Sequence, residues 1–345
     1  MKANRLERRP AIANDLPTTL YLETTNRCDS KCQTCIRTFT TLEPPADLTL
    51  ERLVRIVEQH PTLKRAILHG IGEPLLNKEL FTMTDYLKGR GVWVTFNSDA
   101  ISLTDSKIER LLQSAPDEFR VSMDAATPET YLRIRGVPQF DRVVDNVSRL
   151  VARQHELARS LPKVSFWFTG IRANIHELPD LIHLAHKIGV GEVYLQRLVF
   201  YETGLAVREQ SLHGTLEATV REAVGEAENL CARYGIAFHA SGASSPLQSL
   251  APEAGSRPWA GCQRPWTVSY VTANGNVLPC CISPWTAKNY KGAILGNAFH
   301  EPLVELWNGE RYQSFRTSFE SDTSPDPCRG CGSLWSIWAR PINFA

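Results

Sequence analysis

Six short, β-prone apolar runs alternate with six stretches of helical period between residues 19 and 234. This alternation constrains the fold more than any other feature of the chain. Strands separated by helices cannot pair as hairpins, so they must return through right-handed βαβ crossovers to a parallel sheet. The runs are TLYLETT (19–25), RAILHGIG (65–72), VWVTFNS (92–98), FRVSMDA (119–125), KVSFWFTGI (163–171) and EVYLQRL (192–198). The helical stretches are 48–60, 78–91, 104–113, 127–159 (one or two helices), 175–189 and 215–234. In the first of these, Leu50, Leu53, Val54 and Val57 share one side. Thr104 is placed to cap the third, and Pro179 is acceptable only in the first turn of the fifth.

The texture changes near residue 241. SGASSPLQSLAPEAGSRP (241–258) has the composition of a loop, and the run after it carries a hairpin signal around Asn274-Gly275-Asn276. Two domains follow, residues 1–245 and 246–345, in keeping with the roughly 150 residues of an average domain. The second is small and poor in regular structure, which suits stabilisation by a metal. It holds Cys262, Cys280, Cys281, Cys328 and Cys331, more than half of the nine cysteines in the chain.

The other concentration of cysteine is TTNRCDSKCQTC (24–35), directly after the first strand, with Cys28, Cys32 and Cys35. Thiolates bind soft metals and iron–sulfur clusters. A zinc site would close with a fourth Cys or His nearby, and none lies between residues 36 and 59. Three thiolates on a 4Fe–4S cluster leave one iron open to a substrate or cofactor. Zinc completed by a distant ligand is the alternative.

The C-x3-C-x2-C spacing after a first strand resembles the radical S-adenosylmethionine (radical SAM) superfamily. Further matches come in order over residues 18–200. HGIGEPLLN (69–77) is similar to that family's glycine-rich motif, so Gly70, Gly72, Glu73 and Pro74 are expected at the methionine end of SAM. FNSDA (96–100) and SMDAA (122–126) imply ribose and carboxylate contacts from Asn97, Ser122 and Asp124. YLRIRG (131–136) implies an arginine for the SAM carboxylate, Arg135 in preference to Arg133. Thr34 stands where that family places an aromatic residue to pack on adenine, so no adenine contact is assigned beside the cluster, with Ile36 and Phe39 the nearby apolar residues. The implied fold is a partial (β/α)6 barrel, with the motifs at the C-terminal strand ends where such sheets build their sites. The implied chemistry is cleavage of SAM by a reduced cluster to a 5′-deoxyadenosyl radical that abstracts a substrate hydrogen.

The C-terminal cysteines resemble a shortened SPASM domain. The resemblance implies one auxiliary 4Fe–4S cluster held by Cys262, Cys280, Cys328 and Cys331, with structural zinc as the alternative. Cys281 is then surplus and is a candidate hydrogen donor to a substrate radical. Cys231, mid-helix, reads as core.

The net charge of +1 gives no field for nucleic acid. The N-terminus has no apolar core, and no run of about 18 apolar residues exists to span a membrane. A cytoplasmic protein is expected, supplied with electrons by a flavodoxin or ferredoxin. About 17 residues precede the first strand, too few for a leader-binding domain in this segment. The expected substrate is therefore a polar small molecule such as a sugar, aminocyclitol or nucleoside, oxidised or epimerised. Glu23, Arg172, Gln196, Arg197 and Arg264 are polar residues suited to it, or to salt bridges of the barrel wall. A peptide maturase is the second reading, and a zinc-stapled binding protein the non-enzymatic one.

Overall fold

The computed structural model describes residues 9–212, 217–241, 245–250, 258–329 and 331. All six expected strands form: β1 (Thr19–Leu22), β2 (Arg65–Ile67), β3 (Trp93–Ser98), β4 (Glu118–Ser122), β5 (Lys163–Gly170) and β6 (Glu192–Arg197). Helices α1 (Leu50–Val57), α2 (Leu80–Gly89), α3 (Asp105–Ser114), α4 (Pro128–Arg135), α5 (Phe140–Glu156) and α6 (Leu178–Ile188) link them, followed by α7 (Ala218–Tyr234). Pro179 sits in the first turn of α6, where its missing N–H costs nothing. Thr104 occupies the N-cap position of α3, but its hydroxyl pairs with Ser106 and caps no backbone N–H.

Two features go beyond the expected six strands. A seventh parallel strand, β7 (Ala237–Ala240), pairs with β6. The first strand of the C-terminal hairpin, β8 (Val268–Val271), pairs in parallel with β1. With β9 (Asn276–Leu278) and β10 (Gly296–Asn297), the order is β10-β9-β8-β1-β2-β3-β4-β5-β6-β7, one sheet of ten strands. The hairpin turn holds Gly275 at φ 86°, a left-handed conformation that favours glycine. The stretch between the two expected domains lies partly outside the described residues, as do residues 332–345.

The two faces of the sheet differ sharply. Leu20, Leu22, Val94, Phe96, Phe119, Val121, Phe166, Phe168 and Val193 point to the helices and belong to the main apolar core. Alternation sends their neighbours to the inner face. There the residues are Tyr21, Glu23, Arg65, His69, Thr95, Asn97, Glu118, Arg120, Trp167, Tyr194 and Gln196. The bore is thus lined by charged and aromatic groups, unlike the packed aliphatic interior of a closed barrel.

Candidate functional site

The three N-terminal cysteines lie on an irregular loop between β1 and α1 that is held by many backbone contacts. Arg37 donates to the carbonyls of Asn26 (2.9 Å) and Cys28 (3.0 Å), and Thr38 Oγ1 to that of Cys32 (2.8 Å). Lys31 N and Gln33 N donate to the carbonyls of Arg135 (3.1 Å) and Ile134 (2.7 Å) at the end of α4. The cysteine loop therefore satisfies carbonyls that a helix end leaves unpaired. Gly136 makes this approach possible, since a Cβ there would stand 2.3 Å from the Lys31 carbonyl oxygen.

The glycine-rich motif braces the same loop. A Cβ on Gly72 would lie 2.2 Å from the carbonyl oxygen of Thr25, and one on Gly70 would meet the Glu23 carboxylate at 2.1 Å. Glu73 N donates to Arg27 O at 2.8 Å, and Pro74 begins a short 3-10 turn. The buried Glu73 carboxylate accepts from Leu75 N (2.9 Å), Ser98 Oγ (2.7 Å) and Asp99 N (2.8 Å). Burial, followed by the Asp99 charge, raises its pKa well above the usual range. Its hydrogen bonds tie the end of β3 to the loop after β2.

Asp124, after β4, accepts from Thr169 N (2.8 Å) and pairs with Arg135 Nη1 (3.0 Å). Arg135 is buried with Cys32 among its charged neighbours, whereas Arg133 reaches outward to the Ala173 carbonyl. Asn97 Oδ1, Tyr131 Oη, Arg135 Nε and Tyr201 Oη are buried without a hydrogen-bond partner among the described residues. Buried polar groups are normally paired, and these four are among those left open near the cysteine loop and the strand ends. Tyr131 and Tyr201 were not singled out by the sequence reading. Their signal, a buried hydroxyl without a partner, exists only in the folded chain. Ser122 is half-buried at the end of β4. Phe39 is 40% exposed and packs on Tyr201 (centroids 6.3 Å apart), so it is turned to the loop after β6.

Burial raises the pKa of all three thiols, pushing Cys35 to about 12. Ligation to iron is what would hold them as thiolates. Three thiolates on one short loop are a donor set that a 4Fe–4S cluster takes. In the C-terminal set, Cys328 has Cys280, Cys331 and Cys262 as electrostatic neighbours, so the four converge. Cys281 diverges: it hydrogen bonds Tyr21 and faces Arg264. Cys231 is buried in α7, as core.

Three residues expected to face a substrate are otherwise engaged. Glu23 accepts from Ile71 N (2.9 Å), Tyr270 Oη (2.6 Å) and Ala273 N (3.1 Å), bracing β1 against β8. Arg172 pairs with Glu217 at 2.5 Å near the surface. Arg197, at the end of β6, donates to the Ser249 carbonyl.

Thiol loops beside the neighbouring strands β1 and β8 of a βα sheet, with unpartnered polar groups at the strand ends, are the setting of an iron–sulfur protein. The sequence profile of the radical SAM superfamily matches residues 22–185, and that of the SPASM iron–sulfur cluster-binding domain matches residues 262–332. The chain belongs to the radical SAM superfamily and carries a SPASM domain, with 4Fe–4S clusters and S-adenosylmethionine as cofactors. It is 27% identical to a PqqA peptide cyclase from Streptomyces rochei, over 93% of this chain and 83% of the relative. A PqqA peptide cyclase from Gluconobacter oxydans is 25% identical over 93% and 84%. Streptococcus suis SuiB bound to S-adenosylmethionine shares the fold, with a TM-score of 0.69 at 18% identity over 93% of this chain and 72% of that one. SuiB bound to its precursor peptide SuiA matches equally, with a TM-score of 0.69 at 16% identity over 94% and 71%. No helix among the described residues is long and apolar enough to cross a membrane.

Proposed function

We propose that this enzyme is a peptide maturase that abstracts hydrogen from a carbon of a peptide and returns it oxidised by two hydrogens. The observation that carries this reading is similarity to peptide cyclases across 93% of the chain and more than four fifths of each relative. It displaces the expectation of a sugar, aminocyclitol or nucleoside substrate. The bore supports it as well. Trp167 stacks on Tyr194 at 4.1 Å, Arg120 lies 4.3 Å from the Trp167 ring and pairs with Glu118, and Arg65 covers Trp93 at 3.9 Å. Aromatic faces and arginine edges suit the amides and side chains of a peptide.

In this reading, Cys28, Cys32 and Cys35 hold the cluster that carries SAM. Asn97, Ser122, Asp124 and Arg135, supported by Gly70, Gly72, Glu73 and Pro74, position the cofactor. Cys262, Cys280, Cys328 and Cys331 hold the auxiliary cluster, and the division between the units falls near residue 245. The bound cofactors supply a 5′-deoxyadenosyl radical and a one-electron acceptor. The chain's residues place the substrate carbon, exclude water and take up the proton. Electrons come from a flavodoxin- or ferredoxin-type reductant. Cys281 is the residue that would return hydrogen if the outcome were epimerisation, because it reaches Tyr21 on the inner face of β1.

The test is anaerobic turnover of the reconstituted enzyme with SAM, reductant and a panel of synthetic short peptides, against sugars and aminocyclitols. The expected result is peptide-dependent 5′-deoxyadenosine and a product two hydrogens lighter. Stimulation by sugars or aminocyclitols and not by peptides would overturn the reading.

A further inference from the structure

Two phenols whose hydroxyl oxygens are buried lie on segments packed against the N-terminal cysteine loop. Tyr131 lies in α4, fully buried, with its ring edge-on to Phe140 at 5.9 Å. Tyr201 lies in the loop after β6 and packs on an apolar cluster that includes Ile134 of α4 and Ile171. That loop is fastened to the cysteine loop by Leu205 N donating to Gln33 O at 2.7 Å. Gly204, at φ 58°, passes so close that a Cβ would stand 2.5 Å from the same oxygen. Neither hydroxyl has a hydrogen-bond partner among the described residues.

Their surroundings place both at the thiols. Cys32 is among the charged neighbours of Tyr131, together with Arg135, Asp99 and Asp124. Cys35 and Cys32 are the charged neighbours of Tyr201. A phenol keeps its proton at neutral pH and so can donate it. A buried donor without an acceptor is costly, and the sulfurs of a cluster on the adjoining cysteine loop would give both hydroxyls one.

We propose that Tyr131 and Tyr201 donate hydrogen bonds to sulfur atoms of the N-terminal cluster, converging on its Cys32 side, and raise its reduction potential. The reduced cluster carries one more negative charge than the oxidised one, so donors stabilise it preferentially. This role is independent of which substrate the enzyme uses. It also gives a physical reason for the tight seat of the loop after β6, which holds Tyr201 in place.

The test is EPR-monitored redox titration of the reconstituted enzyme, with the N-terminal cluster identified by the change in its signal when SAM is added. Tyr131→Phe and Tyr201→Phe remove only the hydroxyl. Each is expected to keep full iron content and to shift the equilibrium about tenfold toward the oxidised cluster, a fall of about 59 mV for a one-electron couple. Tyr234→Phe, whose hydroxyl bonds His183 on a distant helix, should leave the potential unchanged. Unchanged potentials in both site variants overturn the proposal. So does weakened SAM binding at an unchanged potential, which would assign the hydroxyls to the nucleotide. Should a variant fail to load its cluster, wild-type enzyme carrying tyrosine deuterated beside the hydroxyl decides. Deuterium coupling to the reduced N-terminal cluster is expected, and its absence overturns the assignment.

Discussion

Arg135 Nη1 lies 3.0 Å from Asp124 Oδ2, and both side chains are buried. The pair joins the end of α4 to the end of β4, and Asp124 uses its other oxygen on the backbone of β5. One edge of the guanidinium is thereby fixed while Nε stays unpartnered. Arg135→Ala strands a buried carboxylate and is expected to cost the fold about 3–5 kcal/mol. Adding Asp124→Asn removes that charge and should recover most of the loss. SAM affinity should remain lower by about 1.5–3 kcal/mol, the worth of a charge-assisted bond. Denaturant unfolding and calorimetric SAM titration read the two effects separately. Wild-type affinity in the double variant would move the contact elsewhere.

Replacing Cys28, Cys32 and Cys35 together with Ala should remove one cluster and abolish SAM cleavage, while the C-terminal cluster survives. The C-terminal thiols lie on a different part of the chain and share no ligand with the first set. Iron and sulfide analysis with EPR measures this. Iron content equal to wild type would sink the assignment.

Gly72→Ala puts a methyl group into the carbonyls of Thr25 and Arg27, backbone atoms that cannot swing aside. The expected cost is about 1–3 kcal/mol, as for overpacking, with poorer loading of the N-terminal cluster alone. Unfolding midpoints and cluster-specific EPR report both. Normal loading would show that the cysteine loop tolerates displacement.

Burial pushes Glu23 up to about 7, against the lowering effect of its three hydrogen bonds. A carboxyl with a raised folded pKa binds more protons in the native than in the unfolded state. Its contribution to stability is therefore lost as pH rises from about 4.5 to about 7 and stays lost above that. A shift of this size corresponds to about 3 kcal/mol. Glu23→Gln, which cannot ionise, should flatten the fall in stability across that window. Melting temperatures of the two proteins from pH 5 to 8 test this, and parallel curves would refute it.

Cys281→Ala should keep both clusters, 5′-deoxyadenosine formation and most of an oxidative activity, with no solvent deuterium in the product. A thiol exchanges its proton with water. Turnover in heavy water that placed deuterium at an inverted carbon, dependent on Cys281, would instead establish epimerisation.

The regular elements were legible because their signals are local. The period-two and helical patterns of residues 19–198 specify strands and helices without reference to the rest of the chain, and the structure carries all six strands. Cysteine spacing likewise marks both thiol loops, since a cluster needs its ligands within a short reach. β7 has no fully buried face to pattern it, its residues being alternately exposed and half-buried, and its pairing with β6 depends on α7 returning the chain. The parallel pairing of β8 with β1 joins residues about 250 apart and cannot be read from either segment.

For the same reason tertiary structure alone decided what the polar residues do. Glu23 and Arg172 carry no sign in the sequence of the Tyr270 and Glu217 that occupy them. The sequence gives no sign that a Cβ on Gly70 would meet Glu23, or one on Gly72 the backbone of the cysteine loop. Tyr131 and Tyr201 read as ordinary aromatics. Their hydroxyls gain meaning when α4 and the loop after β6 close on Cys32, because an unpaired donor becomes costly only once water is gone.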